Sequence, residues 1–73
     1  MRDLLVNVID EYEGDEILGR GVTIREAVNI KAAREEDTDG ECLVRCYSFY
    51  THNDVTHIVE MYTQVDDVYK SLY

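Results

Sequence analysis

Residues 21–35 read Gly21-Val22-Thr23-Ile24-Arg25-Glu26-Ala27-Val28-Asn29-Ile30-Lys31-Ala32-Ala33-Arg34-Glu35, and this stretch decides the fold. Thr23 and Glu26 have the spacing of a capping box, in which each side chain accepts the backbone N–H of the other residue. Beyond the cap, apolar residues recur at helical spacing: Ile24, Ala27, Val28 and Ala32, with Ile30 at the edge. Gly40 is a suitable stop just after the end. The sequence therefore predicts a helix over 23–35, against which a small sheet packs.

The residues before this helix predict one strand and leave two alternatives for the segment that follows it. Residues 4–9 are apolar and rich in β-branched side chains, which is typical of a strand. The side chains expected to face the helix are Leu4, Val6 and Val8. Residues 10–21 combine five acidic groups with three glycines. They predict either a loop or a short hairpin around Gly14 that returns Ile17 and Leu18 to the sheet.

The residues after the helix predict a hairpin and then a second helix. We expect strands at 42–50 and 55–62, joined by a turn at Asn53-Asp54, because both residues tolerate a positive φ. That register predicts six cross-strand pairs: Tyr50 with His57, Ser48 with Val59, Cys46 with Met61, Phe49 with Ile58, Tyr47 with Glu60 and Arg45 with Tyr62. Thr63 is expected to cap the last helix. The apolar face of that helix comprises Val65, Val68, Tyr69, Leu72 and Tyr73.

Together these elements predict a single domain, 1–73, of the α+β class. It consists of a small antiparallel sheet of three to four strands packed on one central helix, with a short C-terminal helix. Both faces of the predicted hairpin carry large apolar side chains, whereas one helix covers one face. We therefore expect Tyr47, Phe49, Ile58 and Tyr62 to be covered by the C-terminal helix, by a second copy of the chain or by a partner.

The net charge limits the classes of partner. Sixteen acidic residues against seven basic ones give a formal net charge of -9. This excess argues against direct binding to nucleic acid or to an anionic membrane, since both are recognised through lysine and arginine. It favours a basic protein surface, or acidity that serves only solubility. Two cysteines make no disulfide framework, and the sequence contains no long apolar run or signal peptide, so we expect a cytoplasmic protein.

Two patterns of possible metal ligands occur in the sequence, but neither matches a known metal site in full. The pattern Cys42-x3-Cys46-x5-His52-x4-His57 has too short a central gap for a zinc finger, and a hairpin would string its side chains along the strands. The pattern Glu35-x-Asp37-x-Asp39-Gly40 resembles the start of an EF-hand loop, but Cys46 stands where the bidentate glutamate belongs. We therefore predict neither a metal nor a cofactor.

The sequence also lacks the patterns expected of an enzyme. In the predicted hairpin Cys46 and His57 are too far apart for a nucleophile and its base. No serine stands in a nucleophile elbow, and no glycine pattern follows a strand as a phosphate loop requires. The prediction is a binding protein that is not an enzyme.

The acidic residues fall in two segments, 10–16 and 35–41, which would attract a lysine- and arginine-rich surface over a long range. Exposed tyrosines beside such charges are typical interface anchors, whereas Tyr50 and Tyr69 are expected to pack in the core. The predicted partner-binding residues are Asp10, Glu11, Tyr12, Glu13, Asp15, Glu16, Glu35, Glu36, Asp37, Asp39, Tyr47, Phe49 and Tyr62. Whether the two segments form one surface is left open by the sequence.

In size, in its acidic segments 10–16 and 35–41 and in its short sheet-and-helix pattern, the chain resembles the small inhibitors made by phages and mobile elements, among them anti-CRISPR proteins. No motif is shared, so the resemblance carries no functional residue. It implies an inhibitor that docks on the basic, nucleic-acid-binding surface of a defence complex. The alternative is a structural or accessory subunit that self-associates, as a homodimer for example, through an exposed aromatic sheet face.

Overall fold

The computed structural model describes residues 4–62, which form a three-stranded sheet and two helices. In chain order the elements are β1 (Leu5–Asp10), β2 (Glu16–Thr23), α1 (Ile24–Asp37) and β3 (Val44–Ser48). A second helix, α2, begins at residue 56 and reaches the last described residue, 62. The strand order is β2-β1-β3, and β1 is antiparallel to both neighbours. The predicted α+β class is confirmed: a small antiparallel sheet, one long helix and a short helix towards the C-terminus.

A hairpin joins β1 to β2, which is one of the two alternatives that the sequence left open. Its turn contains Gly14 at a φ of 90°, a conformation that glycine adopts without a steric penalty. The β1–β2 register shifts on both sides of Val8, and each shift inserts one extra residue into β2. Leu18 packs against the core, and Ile17 lies on the opposite face, where it is 62% exposed.

The capping box at the start of α1 is confirmed. The N–H of Glu26 donates to Thr23 Oγ1 at 3.2 Å, and the N–H of Thr23 donates to Glu26 Oε2 at 3.4 Å. The helix ends at Asp37, two residues later than predicted. Gly40 acts as the predicted stop, because its N–H donates to the carbonyl of Glu35 at 2.9 Å and so satisfies a carbonyl of the last turn.

The predicted apolar stripe of α1 is right at its start and wrong at Ala32. Ala27 and Val28 are buried, whereas Ala32 is exposed. At 3.6 residues per turn, the residue that continues the line of Ile24 is seven positions on, which is Lys31. The Lys31 side chain is only 20% exposed and its ammonium reaches the carboxylate of Glu35 at 3.1 Å. A lysine stem therefore takes the place expected for an alanine.

The second strand of the predicted hairpin, 55–62, is wrong, and so is the register built on it. Strand β3 pairs with β1 instead, with Cys46 opposite Val8. The outer edge of β3 bonds to the returning chain: the N–H of Val55 donates to the carbonyl of Cys46 at 2.8 Å, and the N–H of Cys46 donates to Thr56 Oγ1 at 2.9 Å. The carboxylate of Asp54 accepts the N–H of Thr56 at 2.9 Å. The chain then turns into α2 instead of running back along β3.

The six cross-strand pairs predicted for that hairpin are accordingly absent, because one member of each lies in or beside α2: His57, Ile58, Val59, Glu60, Met61 and Tyr62. The predicted cap Thr63 and the apolar face from Val65 to Tyr73 lie outside the described residues. Strand β3 is also shorter than the predicted 42–50, because residues 49–51 form a turn.

The core lies on one face of the sheet, called the inner face here. Its buried apolar residues are Val6, Val8, Ala27, Val28, Val44, Cys46, Val55 and Val59. Because Val59 belongs to the same cluster as Ala27 and Val28, both helices pack on the inner face. Tyr50 was expected in the core but is 43% exposed, with its ring edge-on to Phe49 at 5.5 Å between centroids.

Among residues 4–62 no helix has the length and apolar character needed to cross a membrane.

Candidate functional site

The two acidic segments, 10–16 and 35–41, meet at one end of the molecule, called the acidic end here. The N–H of Glu11 donates to the carbonyl of Leu43 at 2.8 Å, which ties the start of the hairpin turn to the chain that follows α1. Between the segments lies a pocket of about 380 Å³. Its lining residues are Asp10, Tyr12, Glu13, Gly14, Glu16, Arg34, Thr38 and Glu41. The fold therefore answers what the sequence left open: the segments form one surface.

Asp10 is the buried residue that connects the hairpin turn, α1 and the chain after α1 at this end. It is the last residue of β1 and is only 4% exposed, on the inner face. One carboxylate oxygen accepts the N–H groups of Leu43 at 3.1 Å and Tyr12 at 3.0 Å, and the other accepts Arg34 Nε at 2.8 Å. These donors, led by the Leu43 and Tyr12 N–H groups and followed by the arginine, hold the pKa of Asp10 below its usual value. Asp10 was predicted to contact a partner, but it is buried and its oxygens bond within the chain.

Arg34 links the two segments and was not predicted as a site residue. Its Nε bonds Asp10, and its Nη2 lies 2.6 Å from a carboxylate oxygen of Glu16. The hydrogen bond to Asp10, with the nearby charge of Glu16, raises the pKa of the guanidinium. The sequence holds one signal for this role, a basic residue in the last turn of a helix. Its partners are 24 and 18 positions away, which local patterns do not reveal.

All the remaining acidic residues of the two segments are exposed except Glu11, which is half-buried. The exposed ones are Glu13, Asp15 and Glu16 in the first segment, and Glu35, Glu36, Asp37, Asp39 and Glu41 in the second. Tyr12 lies among them and is 54% exposed. Arg34 is shared by two carboxylates and Lys31 is paired with Glu35, so these two cations compensate only part of the negative charge. The result is a negative surface with one accessible aromatic ring.

The three other predicted aromatic contact residues do not lie on this surface. Tyr47 is half-buried on the outer face of the sheet, and its hydroxyl donates to Glu11 Oε2 at 2.6 Å. This hydrogen bond is the main reason why the pKa of Tyr47 is raised to about 12. Phe49 lies at the far end of β3, with its N–H on the carbonyl of Leu5, and Tyr62 belongs to α2. Tyr12 is therefore the exposed aromatic residue among the acidic residues, whereas Tyr47 meets them only through its half-buried hydroxyl at Glu11.

The cysteines and histidines do not converge. Cys46 is fully buried in the core, and burial is the main reason why the pKa of its thiol is raised to about 11. Cys42 is half-buried, and both thiols are free. Within residues 4–62 no three histidine, cysteine, aspartate or glutamate side chains are placed to hold a metal ion.

Comparisons with protein families, with curated proteins and with solved structures gave no match to this chain.

Proposed function

We propose that the chain is a non-enzymatic binding protein whose acidic end docks on a basic surface of a partner protein. The observation that carries the proposal is the meeting of segments 10–16 and 35–41 around one pocket, which is lined by the exposed carboxylates of Glu13, Glu16 and Glu41. The two segments together carry eight exposed carboxylates. Such a surface attracts a lysine- and arginine-rich patch before contact and speeds association.

The acidic end offers shape as well as charge. Asp10 and Arg34 are bonded to each other and to the surrounding backbone, so the carboxylates stand on a support that is formed before a partner arrives. Tyr12 supplies an exposed ring of the kind that anchors interfaces. A support that is already ordered lowers the entropy lost on binding.

The partner that fits this surface best is a protein that itself binds nucleic acid, since its binding site carries the cations that phosphates require. Occupying that site with carboxylates excludes the nucleic acid and makes the chain an inhibitor. The resemblance to phage and mobile-element inhibitors of the anti-CRISPR type agrees with this proposal in charge and size.

The test is capture of partners from a lysate of the native host, followed by nucleic-acid competition on each captured protein. We expect the wild type to retain a nucleic-acid-binding protein at low salt and to release it at high salt. A variant with Glu13→Lys and Glu36→Lys should lose the partner. The matched control combines Glu60→Lys, Asn29→Lys and Asn53→Lys, which are exposed, lie outside the two segments and change the net charge equally. Equal capture by both variants, or capture that ignores salt, would contradict the proposal.

A second candidate function is self-association through the outer face of the sheet. Within the described residues no element covers this face, where Ile17 is 62% and Phe49 is 39% exposed. Ile58 and Tyr62, which the sequence placed on the same face of a hairpin, belong to α2 and take no part in this face. Sedimentation at high micromolar concentration distinguishes the two candidates. A dimer that is lost on Ile17→Glu would support self-association, and a monomer would contradict it.

A further inference from the structure

An apolar groove adjoins the acidic pocket on the flank of the molecule where α1 crosses β2. It is shallow and open to solvent, with a volume of about 420 Å³, and is lined by Leu18, Ile30, Ala33, Arg34 and Asp37. Leu18 and Ile30 are half-buried and Ala33 is exposed, so the floor of the groove is aliphatic. Gly19 brings the two elements close: a Cβ on it would lie 2.8 Å from Ile30 Cδ1. No other described element covers this groove.

Arg34 lines both the groove and the acidic pocket. Its guanidinium is held by Asp10 and Glu16 at 2.8 and 2.6 Å, so a neutralised cation forms the boundary between the two cavities. On the far side of that boundary stand Glu13, Glu16 and Glu41, and Asp37 lines the groove itself. An aliphatic floor is thus bordered by carboxylates, and the one positive charge of Arg34 is shared between Asp10 and Glu16.

We propose that the groove and the acidic pocket together receive a basic amphipathic peptide segment of the partner, a proposal that rests on the function proposed above. Apolar side chains of the segment fill the groove over Leu18, Ile30 and Ala33. Lysine or arginine side chains beside them reach Asp37 and the carboxylates of the pocket. This is the manner in which amphipathic helices bind grooves, with charge on the rim fixing the orientation. A second copy of this chain fits less well, because it would bring a net charge of -9 against the same carboxylates.

The test uses the full chain and two synthetic peptides of leucine and lysine with identical composition. One peptide places leucine at i, i+3, i+4 and i+7, and the other scrambles the order. Binding is measured by calorimetry at low and high salt. We expect the patterned peptide to bind about tenfold or more tightly than the scrambled one, because only it presents an apolar face to the groove.

Two neighbouring alanines of α1 give a matched pair of variants. Ala33→Glu places a carboxylate in the groove, and Ala32→Glu adds the same charge at an exposed position that does not line it. Ala33→Glu should weaken the patterned peptide about tenfold, because its carboxylate would be desolvated under the leucines. Ala32→Glu should leave the affinity unchanged or raise it slightly. Melting curves check that both variants fold.

The outcomes separate the two proposals. If both peptides bind equally, and both alanine variants behave alike, the groove is not a docking site, while the acidic end keeps its proposed role. If Glu13→Lys with Glu36→Lys leaves both peptides bound as tightly as before, the proposed function itself fails. If sedimentation shows a dimer that Ala33→Glu abolishes, a second copy occupies the groove and the peptide proposal is overturned.

Discussion

The substitution Val59→Ala tests the packing of α2. Val59 is fully buried in the core. Removing its two methyl groups loses about 1.6 kcal/mol of burial free energy at about 0.8 kcal/mol per group. Incomplete collapse of the space left behind adds up to about 1 kcal/mol, and the better helix propensity of alanine returns about 0.5 kcal/mol. We expect a net loss of about 2 kcal/mol. In a domain of this size that lowers the melting temperature by roughly 8–16 °C.

The assay is thermal unfolding followed by circular dichroism, with Met61→Ala as the matched control. Met61 lies two residues further along α2 and is 62% exposed, so its truncation should cost less than about 0.5 kcal/mol. In a strand the two side chains would share one face and respond alike, whereas in a helix they lie on nearly opposite sides. Melting temperatures lowered equally by the two substitutions would refute the helical packing described for this segment.

Three further predictions concern the cap of α1 and two hydrogen-bonded side chains. Thr23→Ala removes one bond of the capping box, and chemical denaturation should show a loss of about 1 kcal/mol; no loss would mean that the cap is not stabilising. Because the pKa of Asp10 is lowered on folding, its contribution to stability is present above the ordinary value of 3.8 and is lost as the pH falls through the folded value. In Asp10→Asn the free energy of unfolding should therefore fall less steeply as the pH is lowered. The same pH dependence in variant and wild type would contradict this role. The pKa of Tyr47 shifts in the opposite direction, from 10.0 to about 12. Its bond to Glu11 therefore stabilises the fold below pH 10, and this contribution is lost towards pH 12. In a spectrophotometric titration of the tyrosines, Tyr47→Phe should remove a group that ionises late, and an identical titration curve would contradict the assignment.

The first half of the fold could be predicted because its signals are local. The capping box of α1 depends on Thr23 and Glu26, which are three residues apart, and the same bonds occur in the structure. The stop at Gly40 is equally local. The error at Ala32 has a different cause. Alanine is the apolar choice by residue type, but helical geometry places the Lys31 stem on the inner side.

The second half could not be predicted from local patterns. Val55, Val59 and Met61 are separated by even numbers of residues, as on one face of a strand. The spacing of four between Val55 and Val59 fits a helix equally well. What decides between them is the pairing of Cys46 with residues 55 and 56, together with the Asp54 carboxylate that accepts the Thr56 N–H. The Asp54 carboxylate accepts the N–H two residues on, a local turn that aspartate favours, and the carbonyl of the next residue, Val55, accepts the first bonds of the helix.

The candidate site also has a part that the sequence predicts and a part that it does not. Composition located the two acidic segments, since charge is visible in the sequence. It did not reveal that Asp10 turns inward to Arg34, because β1 and α1 come together only in the tertiary structure. The arginine was overlooked for the same reason: its role depends on contacts distant in sequence.

The edges of the sheet limit how copies of this chain could assemble. Along β3 the edge is occupied by the chain's own residues 53–56, which take the hydrogen bonds that a foreign strand would need. Along β2 the strand carries two register shifts, which twist an edge away from a straight ladder. Neither edge of the described sheet is thus a template for adding strands into a ribbon or fibre. Copies of this chain therefore cannot grow by extending the described sheet strand by strand, and a two-fold contact through any of its other surfaces would close into a pair instead of propagating.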